Sequence, residues 1–167
     1  MKKNNISKII ISITLTFNII FTTSCRLSVL SEPWSMDRES IRVGKAILAA
    51  LSEHDEEAFR DLFCEKVKEK EDFSEQAKQA MVFFEGEIED FPNEGDLTSS
   101  GEQAWDGGKV TYMQLNDYIK DIKTNSGKVY NVFYYCYVAN KEEPEEEGVV
   151  RITIDSEEGE CVVGGLE

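Results

Sequence analysis

The sequence predicts an α+β domain, with helices in its first half and an antiparallel sheet in its second. Three observations carry this. Apolar residues recur at three- and four-residue spacings between Met36 and Phe84. From Met113 onward the chain changes to runs rich in Val, Ile, Tyr and Phe, bounded by turn residues. A stretch rich in Gly, Ser and acids separates the two halves, with the break near Gly86. Helices that precede strands, rather than alternate with them, give segregated α+β order. With 41% apolar and 10% aromatic residues the chain can bury a core, so its 31% charged residues do not read as disorder.

Residues 1–8 hold three lysines and no acid, and residues 9–21 form a largely apolar run. That run is shorter than the roughly 20 apolar residues a spanning helix needs. It is also diluted by Ser12, Thr14, Thr16 and Asn18, so residues 1–24 read as an export signal. Thr22-Thr23-Ser24-Cys25 resembles a bacterial lipobox. The resemblance implies cleavage before a lipidated Cys25, and two or more acyl chains anchor stably. The alternative is an ordinary signal with an incidental cysteine, although the A-x-A-like pattern of an ordinary site is absent. Residues 25–35, with Pro33 and several serines, read as a tether, and 36–167 as a single domain.

Each element follows from local chemistry. In residues 36–52, Ile41, Gly44, Ile47, Leu48 and Leu51 mark one face of an amphipathic helix, with Ser35 as N-cap. Asp55 caps a second helix, whose Phe59, Leu62 and Phe63 share a face and whose Glu56 and Glu57 suit its positive end. A third begins at Asp72, where Asp72 and Glu75 have capping-box spacing. Its inward stripe is Phe73, Ala77, Ala80, Met81 and Phe84, and Gly86 ends it.

Residues 87–91 read as a short strand and 92–108 as a loop that contains Trp105. Residues 113–123 and 128–139 are strands joined by Asn125-Ser126-Gly127, with Gly127 left-handed. Residues 149–154 and 161–163 supply two more strands. In the simplest hairpin register Tyr118 faces Tyr134 and Ile122 faces Tyr130 on the core side, with Val132 and Cys136. Asp117, Ile119, Asp121, Asn131, Phe133 and Tyr135 then occupy the other side, a half-apolar surface open to two readings, partly solvated or paired with another subunit.

Charge and residue usage exclude several functions. The formal charge is −15, and loss of Lys2, Lys3 and Lys8 with the signal brings it to −18, which repels nucleic-acid backbones. Cys64, Cys136 and Cys161 leave at most one disulfide, with its pairing open, and read first as small buried hydrophobes. A single histidine, His54, and no C-x-x-C pair argue against a zinc site. His54 reads as an exposed residue at a helix junction. The acidic run 142–147 lacks the alternating acids and central Gly of a calcium loop, and reads as a solvated hairpin loop. No phosphate-loop or dinucleotide fingerprint is present. No cofactor and no metal is expected.

The phrase ALSEHDEEAFRDLF, residues 50–63 around the first helix junction, resembles the nuclear transport factor 2-like, cystatin-like superfamily. With Phe83-Phe84-Glu85-Gly86 at the helix-to-strand junction, the chain is similar to a group of clostridial lipoproteins that carry a domain of unknown function. The resemblance implies three N-terminal helices wrapped against a curved sheet as a cone, often paired through the outer sheet face. Superfamily enzymes place Asp, Tyr or His inside the cone, so Tyr118 and Tyr134 become pocket candidates beside a simpler core role. Trp105 is a candidate contact residue in its polar loop.

These readings favour a membrane-anchored, extracytoplasmic lipoprotein domain that binds a small ligand or a protein partner, with no catalytic residue assigned. One alternative is an envelope enzyme of isomerase, dehydratase or hydrolase type that uses the cone interior. Another is an assembly module that dimerises through the face of Ile119, Phe133 and Tyr135.

Overall fold

The computed structural model describes residues 35–93, 97 and 100–166. The segment expected to be an export signal, Cys25 and the residues expected to form a tether, as far as Trp34, lie outside the described residues. Four helical segments come first: α1 (Met36–Ser52), α2 (Glu56–Asp61), α3 (Glu65–Lys68) and α4 (Phe73–Phe83). Five strands follow: β1 (Gly101–Asp106), β2 (Lys109–Lys123), β3 (Val129–Asn140), β4 (Gly148–Ser156) and β5 (Gly159–Gly164). They form one antiparallel meander in the order β1-β2-β3-β4-β5. A 3-10 turn over Pro144–Glu146 joins β3 to β4. The α+β class is therefore as the sequence predicts.

The helices follow their apolar stripes. α1 buries Val43, Gly44, Ile47, Leu48 and Leu51, whereas Ile41 stays half-buried. Asp55 caps α2 as expected, its Oδ1 accepting from the Ala58 amide at 2.9 Å. Ser35 and Asp72 hold N-cap positions without a side-chain cap. Asp72 instead accepts from Gln76 Nε2 at 2.7 Å, so the capping box does not form. The expected second helix stops at Asp61 because the chain there makes a parallel bridge, Phe63 to Val149. The Cys64 amide donates to the Val149 carbonyl and the Val149 amide to Leu62, at 2.9 and 2.8 Å. Gly86 lies beyond the end of α4 rather than capping it. Its φ of +82° brings the backbone against the β2–β3 turn, where an added Cβ would sit 2.6 Å from Asn125 Oδ1.

The strand expected at 87–91 reduces to a single bridge between Ile88 and Thr124. β1 falls inside the segment expected to be a loop. All six of its residues are exposed, so it has no hydrophobic alternation to announce it. Gly107 and Gly108, both at positive φ, close the β1–β2 hairpin in the two-residue geometry that matches strand twist. Gly127 is left-handed, as expected.

The β2–β3 register departs from the simple hairpin. Ile122 pairs with Tyr130, but a bulge between Ile119 and Ile122 shifts the remainder by one residue. Asp117 now pairs with Tyr134, Tyr118 with Phe133, and Ile119 with Val132. Asp117 and Ile119 therefore face the core, at 3% and 1% exposure, whereas Tyr118 is on the outer face at 41%. The core lies between this inner face and the helices. Phe59, Phe63 and Phe73 meet edge to face, and Phe84 stacks on Tyr130 with centroids 4.5 Å apart. No helix among the described residues is long and apolar enough to cross a membrane.

Candidate functional site

Tyrosines spaced two apart along β3 share a face, because side chains alternate along a strand. Tyr135 and Tyr137 thus both lie on the outer side of the sheet, and a second bulge, between Met113 and Gln114, brings Tyr112 of β2 beside them. The Tyr112 and Tyr137 rings are 5.7 Å apart and tilted by 60°. Tyr135 meets Tyr137 edge to face, and its hydroxyl donates to Tyr137 Oη at 2.6 Å. The Tyr112 hydroxyl donates to Gln114 Oε1 at 2.7 Å. Burial raises the pKa values of Tyr112 and Tyr135, so both stay neutral at physiological pH.

Tyr112 and Tyr137 line a half-open cavity of about 530 Å³. Ala104, Thr111 and Asn140 complete its neutral lining, and Asp106, Lys141, Glu142, Glu143 and Glu146 carry its charge. Its volume lies in the range typical of small-molecule sites, roughly 300–1,000 Å³.

The acidic wall is a solvent-exposed hairpin connection, as expected, and is also held in place by specific contacts. Asn140, at the end of β3, is 7% exposed and organises the turn. Its amide donates to Glu147 Oε1 at 2.9 Å, and its Oδ1 accepts from the Glu143 amide at 3.2 Å. Lys66 reaches across from α3 and bonds Glu143 at 3.0 Å and Glu146 at 2.6 Å. These contacts hold the Lys66 pKa above the usual lysine range, through Glu146 first, and the Glu143 pKa below its ordinary carboxylate value, through Lys66 first. No described residue gives Asp106 or Glu142 an ion pair.

The residues singled out from the sequence are not brought together. Tyr134 is fully buried under α1, as expected. Its hydroxyl, with one proton to share, lies 2.8 Å from both Asp117 Oδ2 and the Ser40 carbonyl, and 3.2 Å from Ser40 Oγ. Asp117 Oδ1 accepts from the Ser100 amide at 2.9 Å. The surrounding space is filled: an added Cβ on Gly44 would meet Ile119 at 3.2 Å, Leu97 at 3.6 Å and the Tyr134 hydroxyl at 3.6 Å. Tyr118 points away from this interior, with Lys120 Nζ 5.1 Å from its ring centre. Trp105 is 47% exposed near the tip of β1, one residue from the cavity-lining Ala104 and Asp106. His54 is exposed in a left-handed junction conformation. Ile119 leaves the proposed dimer face for the core, while Phe133 and Tyr135 remain half-buried on it.

Sequence reasoning missed the tyrosine cavity. Its signal was present in Tyr135 and Tyr137 at two-residue spacing directly before the acidic run. What hid it was the assignment of that run to a solvated loop alone and of β1 to no strand. The family model described as a domain of unknown function, DUF5104, matches residues 46–158. The match runs from within α1 to the β4–β5 turn and includes every residue that lines the cavity. No curated protein matches the chain.

Proposed function

The chain belongs to the DUF5104 family of domains of unknown function, and from that premise we propose that it is an extracytoplasmic lipoprotein domain that binds a small molecule in the Tyr112/Tyr137 cavity. The observation that carries the binding role is the cavity itself: two neutral aromatic rings, polar groups from Asn140 and Thr111, and a wall fixed by Lys66. The anchor is supported by the lysines of residues 1–8, the apolar run 9–21 and Cys25. A place in the nuclear transport factor 2-like superfamily is supported by the order of helices before a meander sheet. The reading as an enzyme of the sheet interior finds a carboxylate, Asp117, beside Tyr134, but Ile119 and Leu97 fill the space a substrate would need.

Native mass spectrometry of the full chain, extracted from its own membranes in mild detergent, tests both parts. The expected spectrum shows a mature protein that begins at a diacylglyceryl-modified Cys25 and carries a small-molecule adduct, which Tyr137→Ala loses. A mature terminus elsewhere without lipid sinks the anchor. A chain that takes up no small molecule from a metabolite extract sinks the binding role.

A further inference from the structure

The cavity wall is charged unevenly. Four carboxylates, Asp106, Glu142, Glu143 and Glu146, stand against one lining cation, Lys141. Lys66 is committed to Glu143 and Glu146, which leaves Asp106 and Glu142 as carboxylates without an ion-pair partner among the described residues. The same cavity is lined by Tyr112 and Tyr137, whose rings are tilted by 60° to each other and set an aromatic corner. An aromatic face attracts a cation held within about 6 Å of its centre, and more strongly where water is displaced. A hard metal ion needs six or more converging oxygens. Among the described residues no group of three or more His, Cys, Asp or Glu is placed to hold one.

Resting on the reading of this cavity as a small-molecule site, we propose that its ligand is an organic cation. Its ammonium group sits between the Tyr112/Tyr137 corner and the Asp106 and Glu142 carboxylates, and its apolar body covers the rings. The tyrosines select for an organic group and the carboxylates set the sign of its charge. The chain's charge of −15 draws the same sign of ligand toward the surface.

The test is an NMR titration of the full chain in detergent micelles, with carbon-13-labelled tyrosine rings. Three probes share one ring: phenethylammonium, phenethyl alcohol and phenylacetate. Phenethylammonium is expected to shift the Tyr112 and Tyr137 signals saturably, with an affinity that falls as salt is added. The double variant D106N/E142Q is expected to bind it about tenfold more weakly. Neither side chain bonds another described residue, so the variant keeps the fold, and its ring-signal dispersion verifies that. If phenethyl alcohol or phenylacetate binds as well as phenethylammonium, or if the double variant binds unchanged, the selection for a cation is overturned while the cavity remains a ligand site. If no probe moves either ring signal, both readings fall.

Discussion

The Tyr134 hydroxyl lies 2.8 Å from the Asp117 carboxylate, with both residues buried beneath α1. The same hydroxyl bonds the Ser40 carbonyl, and Asp117 takes the Ser100 amide, so one pair joins α1, β2, β3 and the approach to β1. Removing one partner of a buried hydrogen bond leaves the other desolvated. Tyr134→Phe is therefore expected to cost about 1–3 kcal/mol of stability, and Asp117→Ala more, because the Ser100 amide also loses its acceptor. Urea denaturation checks this: the midpoint should fall while the slope stays unchanged. A wild-type midpoint for Tyr134→Phe would show that the pair is not what fastens α1 to the sheet.

The bulge that sets the register rests on Asp121, whose φ is +56° and whose amide donates to Asn131 Oδ1 at 3.1 Å. A left-handed conformation costs an L-residue roughly 1–2 kcal/mol, least for Asp and Asn, and most for a branched side chain. Asp121→Gly is expected to leave thermal stability equal or higher by up to about 1 kcal/mol. Asp121→Val is expected to lower it by more than that. Equal melting temperatures for the two variants would mean that the bulge stores no conformational constraint at this residue.

That bulge also marks where the sequence stops being legible. The α1 stripe apart from Ile41, the Asp55 cap, the Gly127 turn and the burial of Tyr134 follow from patterns a few residues long, and each is where those patterns put it. Register is not local. A single extra residue between Ile119 and Ile122 exchanges Asp117 and Tyr118 between faces, and nothing in the alternation of β2 marks the place. The cavity is less legible still. It needs Tyr112 beside Tyr137 through a second bulge, an edge strand with no apolar alternation, and Lys66 closing on acids some eighty positions later. Such a site is written in pairings between distant segments rather than in spacing.

Lys66 and the 3-10 turn give a pH-dependent wall. Glu143 has a depressed pKa in the fold, so its contribution is present above its unfolded value and is lost as pH falls through the folded one. Lys66 has a raised pKa, so its contribution holds below the ordinary lysine value and is lost as pH rises through the folded one. The wall is therefore held across neutral pH and loosens in acid, below the ordinary carboxylate value of 4.5. The amides of Glu146 and Glu147, which close the turn on Glu143 and Pro144, report it. Their hydrogen-exchange protection, corrected for intrinsic rates, should fall on acidification, and Lys66→Met should show the same loss at neutral pH. Unchanged protection in Lys66→Met would mean that Asn140 alone holds the wall.

The three cysteines of the fold are free, and their surroundings rank their reactivity. Cys136 on β3 faces the core, where burial first and the nearby Asp117 charge second push its thiol up to about 12. Cys64 is equally inaccessible at 1% exposure, and burial raises its thiol as well. Cys161 on β5 is only half-buried, although burial also raises its thiol. Because the thiolate is the nucleophile, access and pKa together decide the order of attack. Iodoacetamide at mildly alkaline pH is expected to label Cys161 first. Cys64 and Cys136 should react only at the rate at which the domain opens, and therefore faster in Tyr134→Phe, where the fastening of α1 is weakened. Peptide mapping of a labelling time course measures the order. Modification of Cys136 at the pace of Cys161 in the native protein would mean that the inner sheet face opens to solvent far more often than its packing implies.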